Sequence, residues 1–309
     1  MIFNTVYKKS GGIELSRIAV KTPPTRTAYE ANETIDVSGM TLEATYSNGA
    51  TRELTTGFTY SPTVAAKGDT AITISFTEFG ITATTTQAIS VGSIKATFSD
   101  NSWAEIIMAC QTNSVPDTWA VGDQKSMDIG GMSYKIDIIG KNHDSYADSS
   151  GTAPLTLQMH DCYAISSKMR DTGSNAGGWE NTYIRDTLMA EILNKFPDEV
   201  KAAVREVSKL TGAGSASTTL VTTADKLFIP SETELFGSAN IGAPGEGTQY
   251  PYYETSANRK KYRGTTGVAW WTRTPSATST TTYVYLYASG AQAASIPTTA
   301  RYVSAAWCF

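Results

Sequence analysis

Between Ser16 and Val91 the chain alternates apolar and polar residues in short runs. A period of two marks a half-buried strand, because successive side chains point to opposite faces. The runs are Arg17–Val20, Thr34–Val37, Thr41–Tyr46, Thr51–Leu54, Ala71–Phe76 and Ile81–Thr86. Pro23-Pro24 stops the first, since proline has no N–H to give a ladder. Ser47-Asn48-Gly49 marks a tight turn between two alternating runs. Short strands with a turn every ~8–12 residues predict a small β-sandwich over 16–92. Residues 1–15 are set apart as an N-terminal attachment tail.

From residue 93 onward the pattern is mixed. Ser102-Trp103-Ala104-Glu105 and Ser231-Glu232-Thr233-Glu234 both have capping-box spacing, in which hydroxyl and carboxylate each satisfy an orphan N–H of a starting helix. Further helices are predicted over Thr182–Lys195, with Ile184, Leu188 and Ile192 on one stripe, and over Asp198–Leu210, with Val200, Val204 and Val207 inside. Thr211-Gly212 is read as the end of the latter. Ser133–Ile139 and Lys226–Ile229 read as strands. The expectation for 93–309 is an α+β domain. Its long loops near Gly140–Gly151 and Gly237–Arg263 are either functional or packed as structured excursions.

The closing stretch, Thr272 to Phe309, contains no Asp, Glu, Lys, His, Asn or Met. Its only charges are Arg273 and Arg301. Tyr283, Tyr285 and Tyr287 alternate with Val284 and Leu286, so the aliphatic pair is expected inward and the tyrosines more exposed, with Tyr285 reversed if the sheet is covered on both sides. Tyrosine amid Ser, Thr, Gly and Ala is a contact surface of large rigid groups set among small adaptable ones.

Composition narrows the function. Charged residues are 17% of the chain and the net charge is -4. The single basic cluster, Arg259-Lys260-Lys261 with Arg263, reads as a solvated loop. A nucleic-acid partner is therefore not expected. No window is apolar enough to insert in a membrane, and the start lacks the apolar run of a signal peptide, so synthesis in a host cytoplasm is expected. Cys110, Cys162 and Cys308 lack metal-like spacing and read as buried free thiols. The six tryptophans, Trp270 and Trp307 among them, read as core.

Catalytic chemistry has weak candidates. His143-Asp144 and His160-Asp161 have no metal-ligand spacing such as HExxH and read as structural. Gly130-Gly131 and Gly177-Gly178 lack a phosphate-loop frame. Cys162 lies beside His160-Asp161, yet neighbours on a strand point to opposite faces. Glu180 and Arg185 read as an ion pair. No catalytic residue, cofactor or metal is expected.

Two resemblances sharpen this. The run IAVKTPPTRTAYEANETIDVSGMTLEATYSNGATRELT resembles the bacterial immunoglobulin-like domains of surface adhesins and phage tail proteins, which implies a stalk. The phrases VGDQKSMDIGGMSYKIDIIGKNHDSYADSSGTAPLTLQMHDCYA, GGWENTYIRDTL, TADKLFIPSETELFG, GEGTQYPYYE and WWTRTPSATSTTTYVYLYASG resemble a phage-tail and prophage domain family of unknown function. That family is similar to the C-type-lectin-like fold of formylglycine-generating enzymes and of phage receptor-binding proteins diversified by a retroelement.

The fold so implied is an all-β immunoglobulin-like sandwich followed by an α+β C-type-lectin-like domain, with a variable segment over about 272–306. Within that segment only Gln292 lies outside the residues reachable by mutating adenines in Asn codons. The implied function is a virion adhesin that binds a bacterial surface protein or glycan, attaches to other virion proteins through its N-terminus, and assembles as a homotrimer. A virion decoration protein is the alternative reading and a glycan-active enzyme the third. The residues expected to contact the ligand are Tyr285, Tyr287, Ala291, Ala293, Ala294, Ser295, Ile296, Thr298, Thr299 and Arg301, with Ser276 and Thr278 at the rim.

Overall fold

The computed structural model describes residues 12–309 apart from 32 and 93. The expected tail, 1–15, thus falls mostly outside the described residues. The chain forms two compact units, Met1–Ile94 and Lys95–Phe309, and the fold is rich in β-strands throughout.

The first unit holds β1 (Leu15–Thr22), β2 (Ala28–Glu30), β3 (Thr41–Tyr46), β4 (Thr51–Leu54), β5 (Thr59–Ser61), β6 (Ala71–Glu78), β7 (Ile81–Ala88) and β8 (Ser90–Gly92). They pair as β1-β3-β4, β5-β6-β7 and a parallel β2-β8 couple. Alternation does the work expected of it. Leu42 and Ala44 of β3, and Ile72, Ile74 and Phe76 of β6, face one shared core with Ile18, Leu54 and Tyr29. The β3–β4 turn closes where Gly49 takes φ 83°, a conformation glycine adopts without a Cβ penalty, and Asn48 Oδ1 accepts the Ala50 N–H. Thr34–Val37 forms no strand and supplies only an isolated bridge, Thr34 to Val64.

The second unit contains α1 (Trp103–Gln111), β9 (Gln124–Ile129), β10 (Met132–Lys141), β11 (Leu155–Met159), α2 (Met189–Leu193), α3 (Asp198–Ala203), β12 (Val207–Gly212), β13 (Leu220–Asp225), β14 (Leu227–Phe228), α4 (Glu232–Phe236), β15 (Lys261–Arg263), β16 (Thr266–Val268), β17 (Trp270–Pro275), β18 (Tyr283–Leu286), β19 (Gln292–Ser295) and β20 (Ala306–Cys308). A five-stranded sheet ordered β14-β20-β11-β10-β9 is its largest. The hairpins β12-β13 and β15-β16 and the sheet β17-β18-β19 complete it. Both capping boxes form, Ser102 with Glu105 on α1 and Ser231 with Glu234 on α4. Trp119, Trp179, Trp270, Trp271 and Trp307 are sealed in the core. All three cysteines are buried free thiols.

Three further expectations are corrected. The helix predicted over Asp198–Leu210 stops at Ala203, and Val207–Gly212 is a strand paired with Leu220–Asp225. The apolar residues Val200, Val204 and Val207 fit a helical stripe. From Val207 onward the β-branched and alternating residues instead gain a non-local ladder, which overrides helix propensity. Over Thr182–Lys195 the buried stripe of Ile184, Leu188 and Ile192 is as expected, but its first part is a π-turn, Ile184–Leu188. Lys261 does not belong to a solvated loop: it is fully buried, and its Nζ donates to the Met159 and His160 carbonyls.

The long excursion after α4 is a packed structure. Glu232 accepts the N–H groups of Asn240, Ile241 and Gly242. Two 3₁₀ turns, Pro251–Glu254 and Ser256–Arg259, then carry the chain to β15.

Candidate functional site

The closing segment has buried ends and an open middle. Strand β17 is buried at every position, and Val303 through Phe309 are buried again. Between them β18 and β19 form a hairpin whose turn, Ala288-Ser289-Gly290, is shut by Tyr287 N–H donating to Ala291 O and Gly290 N–H donating to Tyr287 O. Gly290 takes φ 82°, the left-handed residue that ends a three-residue hairpin loop. A second turn, Ile296 to Thr299, is closed by the Thr299 N–H donating to Ile296 O.

This open middle is moored from outside. Ser167 and Arg301 exchange backbone hydrogen bonds of 2.8 and 3.0 Å, and the Pro297 carbonyl accepts from the Met169 and Arg170 N–H groups. Asn175 holds the preceding loop, its Nδ2 donating to Ser279 O at 2.7 Å and Thr282 O at 2.9 Å. Backbone so fixed can display changeable side chains on a rigid frame.

Tyr287 is 49% exposed and Ile296 51%. Thr278, Ala291 and Ala294 are exposed; Ala293, Ser295, Thr298, Thr299 and Arg301 are half-buried. The expectation that Tyr283 faces outward is corrected, and Tyr285 follows the alternative for a sheet covered on both sides. β18 is buried on both faces, and the Tyr283 hydroxyl donates to Gly178 O at 2.9 Å. Tyr285 lies beneath Arg301 and is 5% exposed. Ser276 is also buried rather than at a rim; its Oγ accepts the Ser279 N–H and orders the loop.

The register explains what gathers at the open face. Trp271, Tyr285 and Ala293 are directly paired across the three strands, so their side chains share one face. Tyr285 meets Trp271 edge-on at 6.0 Å and Tyr287 at 5.0 Å. The Arg301 guanidinium lies 3.4 Å from the Tyr285 ring centre and 5.4 Å from that of Trp271. Its Nη2 donates to Ser295 Oγ at 3.1 Å. Loss of solvent lowers the Arg301 pKa, and the nearby tyrosines only partly oppose this. The ring stack is a favourable seat for a cation.

Two polar constellations lie elsewhere in this unit. Buried Glu234 takes Arg273 in a fork, Nη2 to Oε1 at 2.8 Å and Nη1 to Oε2 at 2.5 Å. Buried Lys209 bridges Glu234 at 2.8 Å and Asp144 at 2.5 Å. Burial alone would raise Glu234 and Asp144, but Arg273 and Lys209 outweigh it and hold both below the usual carboxylate range. Two cations thus balance two anions. Glu246 lies outside this pairing, and burial pushes its carboxyl up to about 7 despite Thr274, Arg273 and the Gly212 N–H. A pocket of about 300 Å³ opens beside Asp144, Lys209 and His143. Its charges are already neutralised within the protein, so the network holds strands together.

His160 pairs with Asp137, not with its neighbour Asp161. Nδ1 lies 2.8 Å from buried Asp137 Oδ2, which also accepts the Tyr252 hydroxyl at 2.7 Å. Asp161 instead accepts the Tyr262 N–H. The ring's hydrogen-bond partners are Gln124, Asp137 and Tyr252, none of them a serine or cysteine. His143 stacks on Tyr250 at 4.1 Å. Arg185 pairs with Asp225 at 2.6 Å and not with Glu180. Burial raises Cys162 to about 12, far from the range in which a thiolate attacks. Among the described residues no group of His, Cys, Asp and Glu is arranged to hold a metal ion, and no helix is long and apolar enough to cross a membrane.

Residues 156–305 match the family described as a domain of unknown function, DUF6273. The match runs from Thr156 in β11 to Ala305, immediately before β20, and takes in the whole open face. No curated protein matches the chain.

Proposed function

We propose that this protein is a binding protein of the phage adhesin type, which grips a bacterial surface ligand non-covalently through the face built by Tyr287–Arg301. One observation carries the reading. Tyr287 and Ile296 stand half exposed in a segment whose two ends are core, next to the Arg301–Tyr285 stack, and a rigid aromatic set among small adaptable residues suits a recognition surface. The quoted phrases add the finer reading: an immunoglobulin-like stalk, a C-type-lectin-like head, a trimer on a virion, and a segment diversified by a retroelement. Small side chains give weak single contacts, and display in several copies would raise avidity by roughly 10²–10⁴.

The test is adsorption. A Tyr287→Ala, Ile296→Ala, Arg301→Ala variant is expected to fold normally and to lose binding to host cells. Unchanged binding by the folded variant rejects the reading. A near-copy of the 272–306 coding segment beside a reverse-transcriptase gene is the expected sign of diversification.

A further inference from the structure

The Arg301 guanidinium has hydrogen-bonding capacity that the protein leaves unused. Among the described residues it has no carboxylate partner, whereas the other arginine of the segment, Arg273, is locked onto Glu234. No Asp or Glu occurs between Thr272 and Phe309. The Arg301 Nε is buried without a hydrogen-bond partner, and the rest of the guanidinium is engaged only by the neutral hydroxyls of Ser295 and Tyr285. A guanidinium carries five N–H donors in a planar fork that fits an oxyanion. Stacking on Tyr285 fixes the plane of that fork, so little side-chain freedom is lost when a ligand arrives.

The surroundings indicate the rest of the ligand. Tyr287 offers an aromatic surface next to the stack, and Ser295 and Thr299 offer hydroxyls, joined to each other at 3.4 Å. Ala293, opposite Tyr285, and Ala291, two residues before it on the same face, keep the approach low. An aromatic plane, neutral hydroxyls and one unneutralised cation complement a hydroxylated ring that bears an acidic group. A single cation on a chain of net charge -4 does not suit a polyphosphate backbone, which is held by many.

Resting on the reading above, we infer that the Arg301–Tyr285–Tyr287 cluster binds an acidic saccharide, with Arg301 taking its carboxylate or phosphate and Tyr287 packing on the sugar ring. The experiment measures equilibrium binding of the full chain to matched oligosaccharides. They end in glucuronic acid, in glucose 6-phosphate or in neutral glucose, displayed multivalently. Preference for either acidic form by roughly tenfold or more is expected, the scale of a charged hydrogen bond. Which form wins identifies the anion's source. Arg301→Lys is expected to lose much of that preference, because ammonium lacks the fork, and Arg301→Gln all of it. Equal binding of the three sugars, or binding of none, overturns the inference, and neither outcome depends on a variant folding. Host-cell adsorption that persists alongside such a result would leave the adhesin reading intact, which separates the two failures.

Discussion

At the scale of single residues, charge accounting decides what is structural and what is free. Arg273 and Lys209 are spent on Glu234 and Asp144 inside the protein. Removing one member leaves the others buried and uncompensated. Glu234→Gln is therefore expected to cost about 3–5 kcal/mol in denaturant unfolding. Glu246 gives a pH signature of opposite sign to a salt-bridged acid. Its folded pKa is about 7 and its ordinary value 4.5, so the folded state binds the extra proton between them. Below pH ~4.5 the carboxyl is neutral in both states and carries no penalty; as pH rises through ~7 the penalty grows to about 3 kcal/mol. The stability difference between Glu246→Gln and the wild type is expected to shift in the variant's favour from pH 5 to 8. A difference independent of pH contradicts this reading of the site.

At the scale of elements, the two capping boxes differ in burial. Ser231 is fully buried, and its Oγ both accepts the Glu234 N–H and donates to Glu246 O at 2.6 Å. Ser102 caps α1 at the surface. Ser102→Ala is expected to cost about 1 kcal/mol, and Ser231→Ala more, since the Glu246 carbonyl also loses the shorter of its two hydrogen bonds, the longer coming from Arg273. Thermal unfolding of the two variants makes the comparison. Elements written in local pattern were legible. Thr41–Tyr46 forms a strand with the predicted bounds, and both capping boxes are present. Elements decided by distant partners were not. β12 is bridged at Val207 to Tyr146 as well as paired with β13, and Tyr283 is covered by a segment 105 positions earlier. The open face was legible at Tyr287, Ile296 and Arg301. The stack beneath it was not, because it depends on a register across β17, β18 and β19 that no local signal sets.

At the scale of the molecule, the second unit outreaches its matched family segment. The match, 156–305, leaves out β9, β10 and β20, yet β11 is hydrogen-bonded to β10 on one side and β20 on the other. A 156–305 fragment would bare both edges of β11, and exposed edges invite association. It is expected to aggregate, while 95–309 folds with dispersed NMR signals. A well-dispersed spectrum from the shorter fragment contradicts this.

Every sulfhydryl lies in the second unit: Cys110 in α1, Cys162 after β11 and Cys308 in β20, each shielded from solvent. An alkylating reagent therefore reaches sulfur only when this part of the chain opens. Mass spectrometry of labelled peptides would clock three separate openings of one unit against a partner that carries no label.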